Sequence, residues 1–361
     1  MDTPEPRTTS FPEEADGPII SGIVPCRDEA ACIETVAESL LKQIEPAGGF
    51  ELIFADGRSQ DGTREILERL SRNDARIRWV DNPAQITPAG MNAGIRAARG
   101  KYIAILGAHN RYASNYLQEA VRILEEKPDI DNVGGSMFLE CESDVQRAIA
   151  AVFHHPFAVG GARWHNPEYE GPADTVFGGV YRREVFDRIG FFDEELVRNQ
   201  DDELNLRLIR NGGRIWHTPA MQSWYYPRKT IGAVFRMYRQ YGYWKVRVIQ
   251  KHRLPASVRH LIPGGFVAAQ VMLAALTLAG IAWMMTGGSG WLSAGAMGLL
   301  LVLWTVYFSC IGLCTAVLAH SGTQPKARTV FSAFLAFHYG YGIGFVEGIV
   351  DFVIRRNTPG T

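Results

Sequence analysis

Phe50-Glu51-Leu52-Ile53-Phe54-Ala55-Asp56-Gly57-Arg58-Ser59-Gln60-Asp61-Gly62-Thr63 is the stretch on which the fold turns. Residues 50–55 form a short, mostly apolar run, the signature of a buried strand. Asp56-Gly57 closes it with turn residues. A helix is expected from Thr63 to Ser71. A strand that runs through a short polar loop into a helix belongs to a parallel sheet, because parallel neighbours need a crossover.

The same alternation extends in both directions. Upstream, Ile19-Ile20-Ser21-Gly22-Ile23-Val24-Pro25-Cys26 reads as a buried strand closed by a proline. Residues 30–44 carry apolar side chains at 33, 36, 37, 40, 41 and 44, the period of an amphipathic helix. Downstream, Ile77 to Asp81 is a strand, Thr87-Pro88 opens a helix through Gly94, and Tyr102 to Leu106 is another strand. These links predict a largely parallel sheet covered on both faces. Ligands of such sheets sit beyond the carboxyl ends of the strands. Pro25-Cys26-Arg27-Asp28-Glu29, Asp56-Gly57 and Gly107-Ala108-His109 fall there. The chain contains neither GxGxxG nor GxxxxGK[ST], which removes the dinucleotide fingerprint and the NTPase phosphate loop. Asp56 has two readings: an acceptor for a base or ribose, or an Asx-turn with Gly57.

Beyond residue 110 a helix is expected at Tyr116 to Glu126 and a strand at Val133 to Leu139. Phe153 to Pro172 reads as a long loop. Val176 to Phe186 reads as a glycine-rich turn feeding a helix, where Gly178 and Gly179 would let a ligand approach the backbone. Asp201-Asp202-Glu203 then head a helix whose apolar side is Leu204, Leu206, Leu208 and Ile209. Carboxylates are favoured at that positive helix end.

Charge is distributed unevenly. Of the 38 acidic residues, 36 precede residue 204, while 205–261 hold twelve Lys/Arg and no acid. Residues 228–261 mix bases with Phe235, Tyr238, Tyr241, Tyr243 and Trp244 and precede apolar segments. That position favours an interfacial amphipathic helix over a nucleic-acid surface. Segments at about 262–286 and 291–319 lack charge and exceed the roughly 20 residues of a spanning helix. A third, at about 329–354, carries His338, Glu347 and Asp351; it is read as a span, with a helix lying in or re-entering the inner face as the alternative. The positive-inside rule puts the bases of 228–259 on the cytoplasmic side. The five cysteines show no disulfide framework and fit reduced thiols in a cytoplasmic domain. Residues 1–18 read as a disordered tail, 19–227 as the α/β domain, 228–261 as the basic interfacial segment and 262–356 as the membrane domain.

The ordered set of Pro25-Cys26-Arg27-Asp28-Glu29, Asp56-Gly57-x-Ser59-x-Asp61-Gly62-Thr63, Gly90-x-Asn92-x-Gly94, residues 107–109 and Gln200-Asp201-Asp202-Glu203 resembles family 2 glycosyltransferases. With its membrane segments, the chain is similar to the bacterial succinoglycan-type β-glucosyltransferases of exopolysaccharide assembly. The resemblance implies a GT-A fold, a Rossmann-like mixed sheet with helices on both faces, followed by transmembrane helices. It implies an inverting enzyme at the cell inner membrane that moves a sugar, glucose, from UDP-glucose to a polyprenyl-linked saccharide. Other polysaccharide-assembly proteins are possible partners, and nucleic acid is not expected. The alternatives are transfer to polyprenyl phosphate itself, or a catalytically decayed scaffold.

By the same resemblance Asp201 would be the general base, with Asp202 in reserve. Pro25, Arg27, Glu29, Asp56, Gly90, Asn92 and Ala108 would hold the nucleotide sugar. Gly178, Gly179, Arg239, Gln240 and Trp244 would serve the acceptor and diphosphate; from their place beside Gln240–Trp244 alone, Arg239 and Lys245 are candidates to share the diphosphate charge. A divalent cation, Mn²⁺ or Mg²⁺, would bind at the DXD position through His109. The chain departs from the pattern there, with Gly107 and His109 in place of the two aspartates, and again where Tyr243 replaces the arginine of QxxRW.

Overall fold

The computed structural model describes residues 17–320 and 325–357; residues 1–16 of the expected tail lie outside the described residues. The chain opens with β1 (Ile20–Cys26), α1 (Ile33–Leu41), β2 (Phe50–Asp56), α2 (Thr63–Asn73), β3 (Ile77–Asp81), α3 (Thr87–Ala97) and β4 (Tyr102–Ile105). It continues through β5 (Asn110–Tyr112), α4 (Tyr116–Glu126), β6 (Asn132–Leu139), α5 (Asp144–Phe153) and α6 (Pro156–Val159). Next come β7 (Gly171–Pro172), β8 (Phe177–Arg182), α7 (Glu184–Ile189), α8 (Gln200–Arg210) and β9 (Ile215–Tyr225). The long helices α9 (Ile231–His252), α10 (Ile262–Met285), α11 (Trp291–Ala319) and α12 (Ala327–Gly348) follow.

These elements form two compact units. One comprises residues up to Glu140 and Ala162–Tyr226; the other comprises Cys141–Gly161 and the chain from Pro227 on. The first unit holds a sheet in the order β3-β2-β1-β4-β8-β6-β9-β5, with β7 on β9. β1, β2, β3 and β4 run parallel, whereas β8 enters antiparallel between β4 and β6. Successive residues of a strand face opposite sides. Ile20, Val24, Leu52 and Phe54 therefore enter one core with α1 and α4, while Ile23, Ile53 and Ile103 enter the other with α3, α7 and α8. The helices cover both faces, as expected from the strand–helix alternation.

Three expectations change. Residues 176–186 are not a glycine-rich turn: Gly178 and Gly179 lie within β8. The reason is close packing, since a Cβ on Gly179 would run into the Asn132 amide, and the Gly178 carbonyl accepts the Tyr116 hydroxyl at 2.7 Å. The expected loop over 153–172 contains α6, a 3₁₀ turn at Arg163–His165 and β7. Ile209 is exposed, leaving Leu204, Leu206 and Leu208 as the buried side of α8.

In the second unit, α10 and α11 form a helical hairpin, and α12 packs across its base. Gly342 lies against Pro263 and Val267 of α10, and Phe345 against Gly264. Tyr339 donates to Gln270 at 2.9 Å, and the Tyr307 hydroxyl of α11 meets His338 at 3.0 Å. α9 lies alongside α12 and parallel to it: Gly340, Gly344 and Gly348 face Phe235, Arg239 and Tyr243 in rising order. At Gly344 the helices approach so closely that a Cβ would collide with the Arg239 carbonyl oxygen. Arg239 pairs in two-pronged fashion with Glu347 at 2.7 Å, and Tyr243 donates to Asp351 at 3.1 Å.

Candidate active site

The loops after β1 and β2 are stitched together. Three successive backbone N–H groups, of Asp28, Glu29 and Ala30, donate to Ser59 Oγ, Thr63 Oγ1 and Asp61 Oδ2 at 2.8, 2.8 and 2.9 Å. Asp28 Oδ1 accepts the Gln60 N–H in return at 2.9 Å. These contacts give Ser59, Asp61 and Thr63 a physical role: they satisfy backbone donors that the turn out of β1 would otherwise leave unpaired. Asp28 needs that support because its φ is +54°. The Asp61 carboxyl is held below the usual carboxylate range, first by the Thr63 hydroxyl and then by the Ala30 N–H.

Asp56 ends β2 with 0% exposure. Its carboxylate accepts from Ser59 Oγ and from Arg64 Nε, both at 2.5 Å, and Arg64 reaches on to Asp81. Of the two readings of Asp56, the turn-forming one describes these contacts, with Ser59 as the partner rather than Gly57. Pro25 lies within β1, and the half-exposed Arg27 pairs loosely with Asp28 at 3.6 Å.

Glu29, Cys32 and His109 converge beyond β1 and β4. His109 Nε2 lies 2.9 Å from Glu29 Oε1, and the Cys32 thiol donates to Glu29 Oε2 at 3.2 Å. Cys32 Sγ is 4.0 Å from His109 Nδ1 and 3.8 Å from the Ala108 carbonyl. The donor atoms fit a divalent cation, lying within 4.8 Å of one another. Burial, then the Glu29 hydrogen bond, pushes the Cys32 thiol up to about 12. Cys32 is absent from the sequence-based ligand set. The signal lay in Glu29 and Cys32 three residues apart at one strand end, with His109 at another.

The carboxylates at 201–203 occupy the first turn of α8, as expected. Their environments differ. Glu203 is buried and doubly bonded to Arg207, which also holds the Ile189 and Phe191 carbonyls. Asp201 is exposed and accepts the Asp202 N–H at 2.9 Å. Asn205 fastens the helix to the sheet, donating to Thr175 Oγ1 and accepting from Tyr181. The last turn of α8 meets the start of β6, where Gly213 N–H bonds Leu208 O and Arg214 N–H bonds Asp131. The first turn therefore points toward the other edge, where β4 ends and β8 begins.

Several expected site residues have other duties in this structure. Asn92 is 1% exposed; its amide bonds the Phe192 N–H and carbonyl and the Glu194 carboxylate, fastening that loop to α3. A side chain on Gly90 would crowd Asn82 and Pro25. Gly178 and Gly179 serve strand packing, as described. In the second unit Arg239 is paired with Glu347 and Lys245 is 4% exposed, so neither presents an open charge for a diphosphate. Gln240 is exposed, and Trp244 packs on Tyr243 and Phe352.

The mixed sheet, covered by helices on both faces, is of the GT-A type. Residues 21–190 match the family model described as glycosyl transferase family 2, so the chain carries a family 2 domain and is a glycosyltransferase. It is 29% identical over 334 residues to the succinoglycan biosynthesis protein ExoA of Rhizobium meliloti (strain 1021), covering 91% of this chain and 94% of that one. A dolichyl N-acetyl-alpha-D-glucosaminyl phosphate 3-beta-D-2,3-diacetamido-2,3-dideoxy-beta-D-glucuronosyltransferase of Methanococcus voltae is 26% identical over 73% of this chain and 82% of its own. Among solved structures, a mannosyltransferase of Pyrobaculum calidifontis, in complex with GDP-Man and Mn²⁺, has the same fold, with a TM-score of 0.54 over 90% of this chain and 87% of its own at 18% identity.

Proposed function

We propose that the protein is an inverting, membrane-bound transferase of exopolysaccharide assembly that moves glucose from UDP-glucose to a polyprenyl-linked saccharide. The observation that carries this reading is the contrast within one helical turn: Glu203 is buried and bonded to Arg207, while the Asp201 side chain is exposed at the start of the helix. Full-length similarity to a succinoglycan biosynthesis protein supports the polysaccharide role. The archaeal relative, whose name specifies a dolichyl-linked sugar acceptor, supports a lipid-linked one.

Asp201 takes the proton from an acceptor hydroxyl as that oxygen bonds to the anomeric carbon. The bond to the diphosphate breaks on the opposite face, its electron pair leaves with the nucleoside diphosphate, and the configuration inverts. Glu29 and His109 would hold a divalent cation, which offsets charge on the departing diphosphate. The stitched loops keep Glu29 and Arg27 in place for the donor without reorganisation.

For the membrane, α10 and α11 cross as a hairpin with the catalytic domain on the cytoplasmic side. α12 lies in the inner face beside α9. Length and composition alone would let α12 cross, but more than half of its most apolar window is buried, far more than in α10 or α11. From Val330 to Phe345 the helix advances about 22 Å. A span antiparallel to α11 would by then approach the hairpin tip at Gly287–Gly290, yet Phe345 packs on Gly264 at the base. Its parallel partner α9 carries Arg236, Arg239, Lys245, Arg247 and Lys251, which resist entry into hydrocarbon.

The functional test supplies labelled UDP-glucose and membrane lipid extract to the solubilised protein. The expected product is a labelled lipid whose released glycan is larger than one sugar. A product releasing a single hexose would shift the acceptor to polyprenyl phosphate, and no transfer from any nucleotide sugar would contradict the reading.

A further inference from the structure

We propose that Glu29, Cys32 and His109 form a thiolate-containing cation site that selects a borderline divalent metal of the Zn²⁺ or Co²⁺ type over Mg²⁺. The proposal deepens the cation-assisted reading above, but its test reads metal binding alone, so the two can fail separately.

The donor set is mixed: one carboxylate oxygen, one sulfur and one imidazole nitrogen; as the metal binds it displaces the proton that Cys32 now donates to Glu29, and that proton is released to solvent. Mg²⁺ demands near-octahedral oxygen coordination. An oxygen-rich set is not assembled here. Position 107 is glycine, and the neighbouring carboxylates are engaged: Asp28 by Gln60, Asp56 by Ser59 and Arg64, Asp61 by Ala30 and Thr63. Zn²⁺ takes just such O, N and S ligands in tetrahedral sites. With metal–ligand bonds of about 2.0–2.3 Å, tetrahedral ligand atoms lie about 3.3–3.7 Å apart. Cys32 Sγ lies 3.2 Å from Glu29 Oε2 and 4.0 Å from His109 Nδ1, while His109 Nε2 lies 2.9 Å from Glu29 Oε1, so the three side chains already meet around one point and a cation would replace their present contacts with bonds to itself.

The ligands are also held from behind. Glu29 is fixed through its N–H to Thr63, and its carbonyl accepts the Cys32 N–H at 2.9 Å, setting the three-residue spacing at the start of α1. His109 follows β4, whose pairing with β1 fixes the distance between the two loops. Three protein ligands leave a fourth position open, the arrangement of sites that bind an exchangeable oxygen ligand rather than of closed structural sites.

The test uses the detergent-solubilised full chain, stripped of metal and titrated with Co²⁺. One equivalent should produce the intense visible bands of four-coordinate Co²⁺ and a near-ultraviolet thiolate-to-cobalt charge-transfer band, both displaced by Zn²⁺ and not by Mg²⁺. Cys32→Ser should remove the charge-transfer band and weaken Co²⁺ binding by at least the about tenfold that a lost outer-shell partner costs. Cys26→Ser and Cys141→Ser should leave it intact. A wild-type Co²⁺ complex without the thiolate band would overturn the proposal before any variant is made. So would a band that survives in Cys32→Ser, or displacement of Co²⁺ by equimolar Mg²⁺.

Discussion

Thr63 Oγ1 accepts the backbone N–H of Glu29 at 2.8 Å and donates its own proton to Asp61 Oδ1 at 2.6 Å. One hydroxyl thus joins residues 34 positions apart and links the loop after β2 to the loop after β1. Thr63→Val keeps the shape and removes both bonds. It should cost about 1–3 kcal/mol, the penalty for leaving a buried donor unmade. The donor KM should rise more than kcat falls, because Glu29 would lose its anchor. Thermal unfolding and steady-state kinetics read the two effects.

Glu51 lies within β2 but is 1% exposed, an unusual place for a carboxylate. Burial pulls its pKa up, yet hydrogen bonds from Ser21, the Arg99 N–H, Arg78 and Arg99 outweigh burial and leave it below the ordinary value. A lowered folded-state pKa gives stability that is present above the unfolded value of about 4.3 and is lost as pH falls through the folded one. Glu51→Gln should therefore destabilise the protein at pH 7 by about 2–3 kcal/mol, since charged partners would lose their acceptor. The gap between wild type and variant should close on acidification below pH 4. Unfolding midpoints measured from pH 7 to pH 3 would check this; a gap independent of pH would contradict it.

β1, β2 and β4 were legible because they are buried on both faces and read as mostly apolar runs, whereas β3, at the sheet edge and only partly buried, showed itself by its place in the strand–helix alternation. β8 was not, because Gly178-Gly179 mimics a turn unless one knows that Tyr116 and Asn132 occupy the missing side-chain space. α5 was missed although Ser143 and Gln146 form a capping box over its first turn, a four-residue signal that also occurs by chance. The candidate site was partly legible. Asp201 and His109 stand out by position, but Cys32 joins His109 only through sheet pairing, and the duties of Asn92 and Arg239 depend on partners 100 and 108 residues away.

The α9–α12 seam rests on backbone contact rather than on charge. Gly344→Leu should separate the helices, because its side chain would meet the Arg239 carbonyl. Glu347→Gln removes an exposed ion-pair partner and should cost less than about 1 kcal/mol. Unfolding of the two variants in detergent should differ clearly, with the glycine variant losing several degrees or more. Equal losses would mean that the ion pair, and not the close approach, holds the helices together.

Membrane placement makes its own prediction. A cysteine at Asn357 should react with impermeant maleimide only from the cytoplasmic side, and one at Ser289 only from the opposite side, in a background lacking the native cysteines. Labelling of both positions from the same face as Ser289 would mean that α12 crosses the bilayer.

The central claim is that the Asp201 carboxylate removes the acceptor proton. Asp201→Asn should lower kcat by about 100-fold to 10,000-fold, the usual range for a lost general base, while the affinity for UDP-glucose, read by calorimetry on the same preparation, stays within a factor of two or three. Turnover by Asp201→Asn at the wild-type rate would contradict the account.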